Sequence, residues 1–198
     1  MKLVLATRNS GKVKELQELL AGAGVEVVSL TDFPGVPEVV EDGDTFQANA
    51  IKKAREVAEA VGEVTLSDDS GLEVDYLNGA PGVISARFAG AQHDDAANNR
   101  KLLALLSGVP WEKRTGRFRC VVAIAVPGGK TETVEGSCEG VIGTEPRGDQ
   151  GFGYDPLFFV PKYEKTFAEL DATEKNLISH RGKALKKALG VLKRTIAR

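Results

Sequence analysis

A chain of 198 residues with 42% hydrophobic and 6% aromatic residues has the composition of an ordinary soluble domain, with enough apolar matter for a core that needs no disulfide or metal staple. Its 26 Lys plus Arg against 28 Asp plus Glu leave a formal net charge of −2, which argues against a protein that lives on nucleic acid, because neutralising many phosphates takes a basic excess. The total hides a split: residues 32–75 carry twelve acidic against three basic side chains and residues 173–198 one acidic against eight basic, as expected either of a polyanion site built around a divalent cation or of solvated helix faces.

Lys2–Ala6 reads as a short buried strand, followed by an amphipathic helix over Lys12–Ala21 with Val13, Leu16, Leu19 and Leu20 on one face and Gly22 and Gly24 near its end. The apolar run at the N-terminus is too short for a signal peptide and no later run reaches the ~20 residues of a membrane span, so a cytoplasmic protein without membrane partners is expected. Val25–Leu30 is a second strand and Thr45–Val61 a second helix, begun by Asp44 or Thr45. Val64–Ser67 is a third strand that runs into Asp68-Asp69-Ser70-Gly71, which reads as a metal or general-base site or else as a polar turn. Leu72–Leu77, a Gly- and Pro-marked loop over Asn78–Gly90 and a helix over Asp94–Leu106 come next. Arg117–Val126 and Lys130–Glu139, separated by Pro127-Gly128-Gly129, form a hairpin, which makes the sheet mixed. A Gly-rich stretch over Gly140–Gly153, a strand at Leu157–Val160 and a basic helix over Arg181–Ala197 complete an α/β pattern. Cys120 and Cys138 lack C-x-x-C spacing and read as buried structural thiols in a reducing compartment.

Five segments carry candidate chemistry. In Ala6-Thr7-Arg8-Asn9-Ser10-Gly11-Lys12 a strand ends in a polar loop that opens a helix, where free N–H groups favour an anion. Ala6 and Val13 occupy the Gly and Ser/Thr positions of a Walker loop, so what survives is a phosphate-binding turn with Lys12 as point charge, or a plain capped turn. Glu41-Asp42-Gly43-Asp44-Thr45 precedes a helix on which Asn49 and Lys53, four apart, share the face of Phe46, Ala50 and Val57; the acidic cluster alone also complements a helix dipole. In Asp68-Asp69 two carboxylates follow an apolar strand, where open α/β sheets bind ligands. At ~4 Å they would repel by ~4 kcal/mol at an effective dielectric of 20, which a magnesium ion would relieve. Gly151-Phe152-Gly153-Tyr154-Asp155 offers either a ring for base stacking, worth ~1–3 kcal/mol, or a core aromatic. Lys175 and Ser179-His180-Arg181 place directional donors at a helix start, where His180 also reads as a cap.

Taken together, ATRNSGK at 6–12, TFQANAIKKA at 45–54, SDDSGLEVD at 67–75 with APGVISARFAG at 80–90, GFGYDP at 151–156 and ISHRGKAL at 178–185 resemble the inosine/xanthosine triphosphate pyrophosphatase family over nearly the whole chain. Ser67 stands where that family often has Ala, and Phe88 where it often has Tyr. The resemblance implies a single domain over 1–198, two-lobed and α/β, with a long mixed sheet flanked by helices and a cleft between the lobes. It also implies a homodimer and magnesium-dependent cleavage of ITP, dITP and XTP to monophosphate and pyrophosphate. Carried onto this chain, Thr7, Arg8, Asn9, Ser10, Gly11, Lys12, Asn49 and Lys53 would form the phosphate pocket, and Ser70 would contact substrate. Phe152, Gly153, Tyr154, Asp155, Lys175, His180 and Arg181 would surround the base. Glu41, Asp69 and Asp68 would hold magnesium, with Glu38 or Asp42 as alternatives to Glu41, and Asp69 would accept the proton of the attacking water.

Overall fold

A computed structural model describes residues 2–21, 24, 26–90 and 94–196. Gly22, Val25 and Ala197, and the side chains of Leu19 and Leu20, lie outside the described residues. The elements are β1 (Lys2–Leu5), α1 (Ser10–Leu20), β2 (Glu26–Ser29), α2 (Phe46–Val61), β3 (Thr65–Val74), α3 (Asp95–Leu105), β4 (Thr115–Ala125), β5 (Thr131–Ile142), β6 (Phe158–Val160), β7 (Lys165–Thr166), α4 (Ala172–Ile178) and α5 (His180–Ile196). Among the described residues the strands form one seven-stranded sheet in the order β2-β1-β3-β4-β5-β6-β7. β1 pairs in parallel with β2, Lys2 opposite Glu26, and with β3, Leu5 opposite Leu66. β5–β6 and β6–β7 are antiparallel. β4 and β5 are neighbours joined by the turn Val126–Lys130, a connection too short for anything but a hairpin. The sheet is therefore mixed, as expected, and the fold is α/β.

The helices begin where their caps dictate. Asn9 accepts from Lys12 N at 3.0 Å to start α1, Thr45 from Ala48 N at 3.1 Å to start α2, and Asp94 from Ala97 N at 2.9 Å to start α3. Of the two candidates for the start of the second helix, Thr45 is therefore the cap. α2 ends at Gly62, whose φ of 69° is the left-handed geometry that a helix terminus of this kind needs.

Asp68-Asp69-Ser70-Gly71 is not a turn between two strands, because β3 runs unbroken from Thr65 to Val74. Turn-forming residue types gave way to burial: Asp68 and Asp69 are only 2% and 5% exposed, and their side chains bond to groups off the strand. β1 ends at Leu5, and both carboxylates lie beyond the carboxyl end of that parallel partner, where open α/β sheets bind ligands.

The chain divides into two compact units, the first comprising Met1–Asp69, Cys120–Gly136 and Arg181–Arg198, the second Ser70–Arg119 and Ser137–His180. Within the first, Leu3, Leu5 and Leu66 pack with Leu16 of α1 and Ala184, Leu185 and Ala188 of α5, while Val4 and Ala6 pack with Val57 of α2. Alternate residues of β1 thus serve two separate helix layers, the period of two that a strand imposes. Within the second, Phe118, Tyr154, Phe158 and Phe167 join Leu72, Leu102 and Ile142 in one cluster. Cys120 and Cys138 are both buried. Among the described residues no helix is long and apolar enough to cross a membrane.

Candidate active site

The alternation that sorts the core of the first unit also sorts its carboxylates. On β3, Leu66 faces α1 and α5, and Ser67 faces α2, donating its hydroxyl to the Ala50 carbonyl at 2.6 Å. That bond satisfies a buried serine where an alanine would also fit. Two residues beyond Leu66, Asp68 meets Lys12 of α1 at 3.1 Å and Arg181 of α5 at 3.2 Å. Two residues beyond Ser67, Asp69 accepts from Asn49 Nδ2 of α2 at 3.0 Å. The two carboxylates therefore face opposite helix layers, and the direct repulsion expected of adjacent acidic side chains is not what sets their chemistry.

Their electrostatics diverge accordingly. Burial works against the charge on Asp68, but Lys12, Arg181 and Lys53 outweigh it and hold the carboxyl below the usual range. Asp69 is pushed up to about 6, first by burial and then by the charge of Glu41, against the pull of Lys53 and Lys12. Lys53, buried on α2, contacts Glu41 directly. Burial opposes its charge, yet Asp68, Glu41 and Asp69 prevail and keep it protonated above the ordinary lysine value. The three acidic candidates before α2 are separated as well. Glu41 is half-buried beside Lys53, Asp42 is exposed on Lys52 at 2.6 Å, and Glu38 is exposed.

The rest of the first loop has mixed duties. Thr7 Oγ1 accepts from Asn9 N at 3.2 Å and Asn9 caps α1, so both shape the turn. Ser10 is exposed and Gly11 half-buried at the helix start, which has no acidic residue in its first turn to compete for an anion. Arg8 turns to the loop after β2, donating from Nη2 to the Val36 carbonyl at 2.7 Å.

The second unit gathers the aromatic loop. Asp155 accepts from the Phe152 N–H at 2.9 Å and from Lys175 Nζ at 2.8 Å, and the ammonium lies 5.3 Å from the Phe152 ring centroid. Gly151 has φ of 78°, and a Cβ there would lie 2.1 Å from Asp155 Oδ2, so only glycine admits this close approach. Phe152 is 37% exposed, whereas Tyr154 is buried with its hydroxyl on the Ser85 carbonyl at 2.8 Å. The His180 ring stacks on Phe118, centroids 4.7 Å apart and 12° from parallel. Ser70, on β3, is half-buried. Lys175 and His180 thus stand with the aromatic residues of the second unit, while Arg181 is engaged with Asp68 in the first.

Three positioning residues of this loop were not singled out from the sequence. Asp95 accepts from Gly153 N at 2.7 Å, Asn99 donates to the Gly153 carbonyl at 2.9 Å, and Ser85 receives Tyr154. Asp95 and Asn99 are four apart on α3, a shared helix face that was readable. What they hold lies more than fifty residues away in the chain and was not.

Residues 3–191 match the sequence profile of the Ham1 family. A relative from Desulforamulus reducens, named dITP/XTP pyrophosphatase, is 67% identical over 194 residues, covering 98% of this chain and 96% of its own. The solved structure of a HAM1 protein from Coxiella burnetii is 44% identical with a TM-score of 0.89, covering 98% of this chain and 99% of that one. A Mycobacterium abscessus structure described as a nucleoside-triphosphatase / dITP/XTP pyrophosphatase is 48% identical with a TM-score of 0.78, covering 96% and 99%. Matches of this extent, on a fold that carries the expected segments, show that this chain belongs to the Ham1 family.

Proposed function

We propose that this protein hydrolyses non-standard purine nucleoside triphosphates (ITP, dITP and XTP) to the monophosphate and pyrophosphate with magnesium as cofactor. Acting as a homodimer of single-domain 1–198 chains in the cytoplasm, it would clear the nucleotide pool and keep such purines out of DNA and RNA. The observation that carries this reading is the contrast between two neighbouring carboxylates: Asp68 neutralised by Lys12 and Arg181, Asp69 held at about 6 by burial and Glu41. A carboxylate at that value is a far stronger base than a free one, yet about nine-tenths ionised at pH 7. The relatives' names agree with a triphosphate substrate cleaved to pyrophosphate.

The residues present fit a magnesium ion shared with substrate. Magnesium takes oxygen donors and keeps several waters, so one or two carboxylates and the phosphate oxygens fill its shell. Glu41 and Asp69 are such donors, and the mutual repulsion that raises Asp69 is what a cation relieves. Among the described residues no group of three or more His, Cys, Asp and Glu side chains is placed to hold a metal ion. Asp68, already between two cations, contributes charge more than a donor atom. When bound, the ion supplies positive charge to the phosphoryl oxygens and the departing pyrophosphate.

The chain's own residues do the rest. Asp69 orients the attacking water and takes its proton. The Lys12 and Lys53 ammonium groups and the N–H groups at Ser10 and Gly11 bind phosphate oxygens, with Thr7, Arg8, Asn9 and Asn49 shaping the pocket and Ser70 touching the substrate. Phe152 stacks on the purine, framed by Gly153, Tyr154 and Asp155. Lys175, His180 and Arg181 provide donors that match a 6-keto oxygen and oppose the amino group of adenine. Each buried donor left facing a donor costs about 1–3 kcal/mol, enough for roughly tenfold or greater discrimination. Pyrophosphate release from ITP, XTP, dITP, GTP and ATP, with and without magnesium, tests the reading: release is expected from the first three and only with the ion. A preference for ATP, or release unaffected by chelation, overturns it.

A further inference from the structure

Asn49 is 1% exposed on the inner face of α2, one turn after the Thr45 cap and one turn before Lys53. Both ends of its side-chain amide are used. Nδ2 donates to Asp69 Oδ2 at 3.0 Å, and Oδ1 accepts from the Gly43 N–H at 2.8 Å. Chemistry fixes the direction of this amide, because only its oxygen can receive the Gly43 N–H and only its nitrogen can donate to a carboxylate. Turned over, it would set donor against donor and acceptor against acceptor.

The Gly43 side of the contact is equally constrained. A Cβ there would lie 2.8 Å from Asn49 Oδ1 and 2.9 Å from Ala48 Cβ, so the loop backbone lies against α2 with no room for a side chain. Further contacts hold the same loop to the same helix: Glu41 on Lys53, Asp42 on Lys52, and Thr45 on the Ala48 N–H. The Gly43 bond differs from these in continuing, through one planar group, to β3.

We propose that Asn49 is a positioning residue that locks Asp69 to the loop carrying Glu41, and that it acts through its two amide ends rather than by touching the nucleotide. This rests on the reading of Asp69 as the general base. Glu41 and Asp69 stand on different elements, one on a loop and one on a strand, and the planar Asn49 amide is a buried hydrogen-bonded link between the two. Alanine at 49 removes both bonds. Aspartate keeps the acceptor for Gly43 but puts a carboxylate against Asp69. Alanine at 43 displaces the amide from the other side and leaves Asn49 intact.

The first measurement is hydrogen exchange of the Gly43 amide by NMR in the chelated, nucleotide-free wild-type protein. Protection is expected, and its loss in Asn49→Ala; a freely exchanging Gly43 amide in the wild type overturns the bridge whatever the enzyme does. The second is steady-state hydrolysis of ITP by Asn49→Ala, Gly43→Ala and the double variant, with nucleotide affinity measured under chelation. Each single variant is expected to lose about 10- to 100-fold in kcat, the usual cost of removing a supporting hydrogen bond, while KM and the metal-free Kd stay within about twofold. The double variant is expected to be no worse than either single one, because both remove the same link. A raised KM or Kd with kcat retained makes Asn49 a substrate contact and overturns the proposal, as does full additivity. If the wild type releases no pyrophosphate from any triphosphate, the catalytic reading fails and the positioning role with it, whereas Gly43 protection still decides whether the bridge exists.

Discussion

At the scale of single residues, Asp68 and Asp69 contribute to stability with opposite signs. Asp69 has a folded value of about 6 against 3.8 for an unperturbed Asp, so the folded state binds the extra proton between those values. Its favourable contribution is complete below pH 3.8 and is lost as pH rises through about 6. Asp68 is held below the usual range, so its contribution is present above 3.8 and lost as pH falls through its folded value. Asp69→Asn is therefore expected to abolish turnover while stabilising the protein at pH 7 by about 2–3 kcal/mol, read from the urea midpoint at unchanged m-value. In the metal-free wild-type protein Asp69 is expected to take up its proton near pH 6, read from the carboxyl carbon shift by NMR. Residual turnover in Asp69→Asn removes it as base, and a destabilised variant contradicts the stated sign. The buried Phe88 ring packs in the second unit's core with the Lys101 ammonium 4.4 Å from its centroid.

At the scale of elements, β3 distributes function by parity. Even positions Leu66 and Asp68 serve α1 and α5, and odd positions Ser67 and Asp69 serve α2. A turn at Asp68-Asp69 would not impose that sorting; an extended strand does, because its side chains alternate. The Asp68 site joins three elements through Lys12 and Arg181, and both ion pairs are at least partly buried. Asp68→Asn, which leaves two cations facing a neutral amide, is expected to cost about 3–5 kcal/mol, the range for breaking a buried pair. Chemical denaturation measures it, and a change below 1 kcal/mol would mean that water screens the site. The basic helix α5 divides by face. Arg181 is buried, whereas Lys183, Lys186, Lys187, Lys193 and Arg194 are exposed, which makes most of its charge a solvated surface.

At the scale of the whole molecule the two compact units hold different parts of the proposed chemistry: carboxylates and phosphate-binding lysines in the first, the aromatic loop with Lys175 and His180 in the second. Substitutions should separate along that division. Gly151→Ala forces a side chain onto Asp155 and an unfavourable φ, which would disturb the Phe152 ring and leave Asp69 untouched. It is expected to forfeit about 1–3 kcal/mol of base binding, read as a KM for ITP raised roughly fivefold or more with kcat nearly retained. An unchanged KM would remove Phe152 from base recognition. The sequence by itself determined the main alternation of strands and helices, a start of the second helix at Asp44 or Thr45, the mixed sheet and the segments that mark the family. These depend on hydrophobic period, turn chemistry and local hydrogen bonding, all of which act over a few residues. Only the tertiary structure decided that Asp68-Asp69 is strand rather than turn, that burial and then Glu41 raise Asp69, that Arg181 answers Asp68, and that Asn49 links Gly43 to Asp69. Those outcomes depend on burial and on partners up to 113 residues apart in the chain, where the local preference of a residue type gives way to the charge or donor that the fold brings beside it.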